Sequence, residues 1–311
     1  NPGLINSLLK NISNDSKTIN KQEIDYASIP FWFVNKIKKN NINLNYIIKN
    51  ISREPSLHLV FKNKKFLQNF KEKNVTTSEI SSFILDKRKI KEIENYNEGN
   101  WWVQDLSSML PIYLSLEIKS KKIMDMCSAP GGKAFQILSQ GNEVVMNDIS
   151  EKRIKILKDN LNRLNFISNI SNLDALNLSE KELYDIVILD SPCSGIGTAR
   201  RNPEILFKKE PPNFDYLIKT QKSLINKAAK LLKKKGMLIY MVCSFFHEET
   251  KTIKDNFLSE NKNFSHHKYK LDKNNEFNKF IDSQGDFYTL PSEYKGYMID
   301  GFYATKFIKN D

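Results

Sequence analysis

Apolar residues recur along this chain in two rhythms, and the change between them falls near residue 100. In the first third the spacing is mostly helical. Leu4, Ile5, Leu8, Leu9 and Ile12 fall on one face of a helix over residues 2–13. A polar stretch follows to about Tyr26. Pro30 then stands at the first turn of an amphipathic helix that begins Phe31-Trp32-Phe33-Val34. Further helices are predicted over residues 43–51 and 64–73. Leu57-His58-Leu59-Val60-Phe61 alternates as a half-buried strand does, and residues 81–93 read as strand-rich. Together these make a small basic α+β domain over residues 16–100, preceded by a separate helix within residues 1–15.

Over residues 101–311, short apolar runs alternate with helical patterns. Strands are predicted over residues 122–126, 143–148, 185–190 and 237–242, with a weaker one near 170–173. Helices over 133–139, 151–164 and 215–234 fall between them. A helix over 248–258 and strands over 267–271 and 302–308 complete the pattern. Strands that alternate with helices specify an α/β fold built on a doubly wound sheet.

The run Ile186-Val187-Ile188-Leu189 leads into Asp190-Ser191-Pro192-Cys193-Ser194-Gly195. Proline and glycine end a buried strand, so Asp190 and Cys193 belong at or just past its carboxyl end. In open α/β sheets that edge binds ligands. A second such junction is Ile123 to Lys133, a strand, a glycine turn and a helix start. It is neither G-x-G-x-x-G nor a phosphate loop, which argues against a dinucleotide and against ATP. Asp148 ends the next strand, where it can hold ribose hydroxyls, and Asp174 ends the third, where it can accept from an adenine amine. Together they describe an adenosine pocket. S-adenosylmethionine suits a sheet that has no pyrophosphate loop.

The chain's 3 cysteines, Cys127, Cys193 and Cys243, each follow a strand at that same edge. An odd number of well-separated cysteines argues against a disulfide framework and for a reducing, cytoplasmic setting. No C-x-x-C pair is present, so a metal site is not expected. A thiol of pKa about 8.5 needs an electropositive setting to serve as a nucleophile, and helix N-termini after the turns supply part of one.

The formal net charge is +12, which favours a polyanionic partner, nucleic acid ahead of a membrane surface. Lys62, Lys64, Lys65, Lys87, Arg88, Lys89 and Lys91 are candidate phosphate contacts. No apolar stretch approaches the roughly 20 residues of a membrane span, and no secretory signal pattern opens the chain. The chain does not begin with Met, which fits a fragment or a processed form, and a monomer is expected.

Three separated motifs carry a resemblance. Asp125–Lys133, Asp190–Gly195, and Val242-Cys243-Ser244 followed by Glu248-Glu249 resemble, in order, those of the RNA cytosine-5 methyltransferase family of the Sun/Fmu type. Trp102-Val103-Gln104-Asp105 and Asp300-Gly301-Phe302-Tyr303 are also similar to family segments. Ile29-Pro30-Phe31-Trp32-Phe33 and Ala199-Arg200-Arg201-Asn202-Pro203-Glu204 resemble its bacterial 16S ribosomal RNA branch. Leu4–Asn11 resembles the last helix of a NusB-like domain that precedes the catalytic part there; on that reading most of such a domain is missing from this chain. The resemblance implies a Rossmann-like fold, S-adenosylmethionine as cofactor and RNA, above all ribosomal RNA, as partner. Cys127, Ser128, Ala129, Pro130, Gly131, Gly132, Lys133, Asp148, Asp174 and Asp190 match cofactor-contact positions. Cys243 matches the nucleophile that adds to cytosine C6. Cys193 matches the second cysteine, which assists breakdown of the covalent intermediate, itself or through a water it orients. Asp190 is expected to hydrogen-bond the base near N3 and N4, and Arg200 and Arg201 to contact phosphates. Val242 stands where the family has Thr, and Ser191 where it has Ala or Val.

Other readings are a transfer RNA substrate, a DNA-type enzyme in which Cys193 attacks, and a catalytically idle RNA-binding assembly factor. The second cysteine and the motif order argue against the DNA type. Retention of both cysteines and all the acids argues against the idle factor.

Overall fold

The computed structural model describes residues 2–14, 29–85, 88–115, 121–207 and 210–311; the polar stretch to Tyr26 and Lys87 lie outside them. Helix α1 (Pro2–Asn14) keeps its apolar stripe exposed, Leu4, Ile5, Leu8, Leu9 and Ile12 each being more than half accessible. Helices α2 (Phe31–Lys39) and α3 (Leu44–Ile51) follow. Asn43 caps α3 by accepting from the Tyr46 N–H. Four antiparallel strands come next: β1 (Leu57–Phe61), β2 (Lys73–Ser78), β3 (Ser81–Ile84) and β4 (Trp101–Val103), in the order β2-β3-β1-β4. The helix expected over 64–73 is shorter, α4 (Lys64–Asn69), because Lys73 already pairs with Ile84 in the sheet. Strand character ends at Ile84 instead of running to residue 93, and the fourth strand comes from Trp101–Val103, past residue 100. Buried His58 joins β1 to its surroundings through Nδ1 on Gln104 O at 2.7 Å and Nε2 on Thr77 Oγ1 at 2.8 Å.

A helix the sequence pattern did not signal, α5 (Leu106–Tyr113), contains Pro111 and is almost wholly buried. The alternating part then proceeds β5 (Lys122–Asp125), α6 (Gly132–Leu138), β6 (Glu143–Asn147), α7 (Glu151–Arg163), β7 (Asn169–Ser171), β8 (Tyr184–Asp190), α8 (Glu204–Phe207), α9 (Phe214–Lys230) and β9 (Leu232–Val242). Helix α9 stops at Lys230 and not at 234, since buried Leu232 already pairs with Tyr184. Strands β5 to β9 are parallel, so their carboxyl ends share one edge. Helix α10 (Lys251–Glu260) starts after a 3-10 turn at His247–Glu249, later than expected. Strand β10 (Phe264–His266) replaces the strand expected over 267–271. Three short strands were not foreseen: β11 (Phe287–Thr289), β12 (Ser292–Tyr294) and β13 (Tyr297–Ile299). Strand β14 (Phe302–Lys309) returns antiparallel to β9.

The resulting order, β10-β14-β9-β8-β5-β6-β7, reverses direction of build at β5. That switch point, between β5 and β8, is where an open α/β sheet opens a crevice. Val187, Ile188 and Leu189 of β8 are fully buried, as a strand covered on both faces requires. Ile154, Leu157 and Leu161 form the buried stripe of α7. Among the described residues no helix is long and apolar enough to cross a membrane.

Candidate active site

The crevice begins where β5 ends. Gly131 has φ of 113°, and a Cβ there would lie 2.1 Å from the Phe135 ring, so only glycine lets the chain turn tightly into α6. Ser128 N–H donates to Asn147 O at 2.8 Å, which holds the turn against β6. Asp148 is buried; Oδ2 accepts from Ala129 N–H at 3.2 Å, and Oδ1 accepts from Ser150 N–H at 2.9 Å and the Arg153 guanidinium at 2.8 Å. Its carboxylate therefore shapes the turn from behind.

A cavity of about 420 Å³ opens in front of this turn, within the range of small-molecule sites. It brings together Cys127, Ser128, Ala129, Pro130, Gly132, Lys133, Asp190, Arg201 and Cys243, all singled out from the sequence. Lys133 Nζ donates to Asp190 Oδ2 at 2.6 Å. Burial alone would lower the Lys133 ammonium, but Asp190, with Asp125 behind it, outweighs that and raises it. Cys193 does not line the cavity but lies beside it, its Sγ 3.2 Å from Cys243 Sγ. Both cysteines are free. The Cys193 thiol is pushed well above its ordinary range, first by its contact with Cys243 and by burial, then by the charges of Cys243, Glu249 and Asp190. Cys127 is likewise pushed up by burial, with Asp125 and Asp190 adding to it. Cys127 and Cys193 are therefore held as thiols. Val242 packs among Val187, Leu189 and Tyr240, so the residue before Cys243 serves the core.

Other expected residues fall elsewhere. Asp174 is exposed, caps the following turn by accepting from Leu176 N–H at 3.0 Å, and does not line the cavity. Arg200, expected to contact phosphate, cannot do so as it stands. Its side chain is fully buried, donating to Asp300 Oδ1 at 2.7 Å and lying 3.5 Å from Asp105 Oδ2. Arg201 remains half-exposed at the cavity while Nε and Nη2 donate to Asp300 Oδ2 at 2.8 and 2.5 Å. Part of the basic cluster is already paired, Lys64 with Glu79 and Arg88 with Glu72.

In the sequence Asp125 stands out only as the first residue of the Asp125–Lys133 motif. It lines the cavity, and its Oδ2 accepts from Ser128 Oγ at 3.0 Å, while Oδ1 makes no hydrogen bond of good geometry. Burial, opposed by Lys133 and reinforced by Asp190, raises its carboxyl to about 7. A buried acceptor without a partner, in a cavity of this size beside a glycine turn, fits a ligand with a cationic amine, as the methionine end of S-adenosylmethionine has. The signal was present as an acid at the end of the first parallel strand. Gln104, Asp105 and Asp300, also at the cavity, were visible only as segments of a resemblance.

A family model described as 16S rRNA methyltransferase RsmB/F matches residues 112–308. The ribosomal RNA small subunit methyltransferase B of Photorhabdus laumondii is 34% identical over 171 residues, covering 53% of this chain and 40% of that protein. The probable ribosomal RNA small subunit methyltransferase B of Coxiella burnetii is 28% identical, covering 83% of this chain and 65% of that protein. The ribosomal RNA small subunit methyltransferase B of Pasteurella multocida is 27% identical, covering 99% of this chain and 71% of that protein. This chain thus spans less than two thirds of the length of the first two. NSun6 from Pyrococcus horikoshii superposes with a TM-score of 0.70 at 17% identity, covering 86% of this chain and 94% of that one. A methyltransferase homolog from the same organism gives 0.66 at 18%, covering 92% and 100%. At such identities these two speak for the fold.

Proposed function

The chain belongs to the 16S rRNA methyltransferase RsmB/F family, and on that premise we propose that it methylates carbon 5 of a cytosine in RNA. The substrate is 16S ribosomal RNA, and the reaction runs through a bond between Cys243 and C6. The observation that carries this reading is the pair of sulfurs 3.2 Å apart, with Cys243 lining the same cavity as the Lys133–Asp190 pair and the glycine turn.

Cytosine C5 is a poor nucleophile in the free base. Addition of the Cys243 sulfur to C6 breaks the C5–C6 double bond and leaves C5 enamine-like. S-adenosylmethionine, when bound, supplies a sulfonium methyl electrophilic enough for such a carbon. Gly132, Ser128 and Asp125 would hold the cofactor, with Gly131 setting the turn and Asp148 bracing it from behind. Asp190 accepts from the base near N4, and Lys133 fixes that carboxylate and stabilises negative charge developing on the same edge of the ring. A water oriented by the Cys193 thiol takes the C5 proton, the C5–C6 double bond re-forms with those electrons, and the Cys243 sulfur leaves beside Cys193, which can hydrogen-bond it. The target cytosine has to leave its stack to reach the crevice, and half-exposed Arg201 at the rim is a phosphate or base contact.

Incubating the protein with methyl-labelled S-adenosylmethionine and 16S ribosomal RNA, then mapping 5-methylcytosine by bisulfite sequencing, tests the proposal. Label on transfer RNA alone would change the substrate. Label on another base or another atom would refute the chemistry.

A further inference from the structure

Two short loops carry Cys193 and Cys243, and one buried carboxylate ties them together. Glu249 is fully buried. Its Oε1 accepts from Ser194 N–H at 2.8 Å and from Gln221 Nε2 at 3.1 Å. Its Oε2 accepts from the hydroxyls of Ser194 at 2.5 Å and Ser244 at 2.6 Å. Ser194 and Ser244 are the residues directly after the two cysteines. Gln221 also donates to Pro192 O at 3.0 Å, directly before Cys193. Glu249 is held in turn, because the Tyr240 hydroxyl donates to its backbone carbonyl at 2.8 Å. A carboxylate taken out of water is costly unless both oxygens are satisfied. Here three of the four donors to it come from residues that immediately follow a cysteine.

The charged neighbours of the two sulfurs differ. Cys193 faces Cys243, Glu249 and Asp190. Cys243 lies within electrostatic reach of the cations Lys133 and Arg201.

We propose that Glu249 is a positioning residue for the two-cysteine chemistry: its carboxylate sets the register of the two loops that carry the sulfurs. Because that carboxylate is bonded to the residue directly after Cys193, its charge also disfavours a thiolate there. This rests on the cysteine roles given under the proposed function. It predicts that the isosteric, uncharged Glu249→Gln fails in two separable ways. Single-turnover methyl transfer falls about 100-fold, as expected when reacting groups lose alignment, while affinity for S-adenosylhomocysteine stays within about threefold. The Cys193 thiol also becomes easier to ionise.

The second effect is read without RNA. In a Cys127→Ala/Cys243→Ser background Cys193 is the only thiol left of the chain's 3, and its alkylation by iodoacetamide is followed against pH. Adding Glu249→Gln is expected to move the midpoint down by at least about half a pH unit, the effect of removing a nearby like charge. The double variant Ser194→Ala/Ser244→Ala keeps the charge and removes two donors. It is expected to slow methyl transfer and leave the Cys193 midpoint in place. An unmoved midpoint in Glu249→Gln, or full turnover in that variant, would overturn the proposal. Should Glu249→Gln not fold, full turnover in the double-serine variant overturns it instead. Because the alkylation needs no substrate, a shifted midpoint in a protein that never methylates cytosine would refute the reaction and leave the charge effect standing.

Discussion

Lowering the pH through neutrality should loosen the cofactor, and Asp125 is the reason. Its carboxyl is raised to about 7 by burial, with Lys133 opposing and Asp190 adding. The unfolded chain releases that proton near 3.8, so the ligand-free fold loses stability from this residue as pH rises from there to about 7. A cationic amine placed on Oδ1 reverses the preference, because it needs the ionised form. At pH 8 about nine tenths of Asp125 is ionised and at pH 6 about one tenth. Apparent affinity scales with the competent fraction, so it should fall roughly tenfold, or about 1.4 kcal/mol, over those two units. Calorimetric titration with S-adenosylhomocysteine at pH 6, 7 and 8 measures this without turnover. Asp125→Asn should bind more weakly by about 1.5–3 kcal/mol, the worth of a hydrogen bond to a charged group, and should lose the pH slope. Constant affinity from pH 6 to 8, or an Asp125→Asn variant that keeps the wild-type slope, would show that Asp125 does not meet the cofactor.

The remaining expectations concern the fold, the loops and the RNA. Burial pushes His58 down to about 4 despite its bond to Gln104. The unfolded state therefore takes up a proton near 6.5 that the fold refuses, and stability should drop by up to about 3 kcal/mol as pH falls from 6.5 to 4. Urea denaturation at the two ends checks this, and His58→Gln retaining the same drop would refute it. A Cβ on Gly197 would lie 1.9 Å from Gly301 O and 3.0 Å from Cys243 O, so Gly197→Ala should cost about 1–3 kcal/mol from overpacking and slow single-turnover transfer; a variant with wild-type melting and rate would count against this contact. Cys193→Ala should accumulate a protein–RNA adduct that survives denaturing electrophoresis, and Cys243→Ala should form none; the opposite pattern would make Cys193 the nucleophile. RNA affinity should fall steeply with salt if the net charge of +12 contacts phosphates, and a flat double-logarithmic plot would exclude that.

How far the site could be read in advance depended on whether local pattern or long-range contact decides each residue. The five parallel strands and the cavity-facing turn were legible, because buried strands ending in acid, proline or glycine carry their own punctuation. Helix α5 was not, since Pro111 and a nearly all-apolar stretch hide the period that a half-exposed helix displays. Strands β11 to β13 have three residues each, too few for alternation to register. Arg200 and Arg201 illustrate the limit at the level of side chains. Two adjacent arginines on a basic chain suggest phosphate contacts. Only the fold shows that Asp300, about 100 residues away in sequence, takes both guanidinium groups and leaves one of them fully enclosed.

The same long-range contacts bind the first third of the chain into the chemistry. Phe33, Ile37 and Ile47 of α2 and α3 pack with Ile196 and Ala199 after Cys193 and with Phe245 and Phe246 after Cys243. Lys36 Nζ donates to Glu248 Oε1 at 2.5 Å, and His247 N–H donates to Asn40 Oδ1 at 2.6 Å. Asp105, two residues past β4, caps α5 through Ser107 and accepts from Asp300 N–H at 3.2 Å. Both cysteine loops are thus held by helices that the sequence pattern assigns to the small basic part and, separately, by Glu249. Loops without regular structure keep two sulfurs 3.2 Å apart only if their backbone is fixed by such contacts, since a loop alone lacks the packing that resists local opening. The residues before 100 therefore have a structural part in the site. They form one wall of the mould in which the two thiols are set.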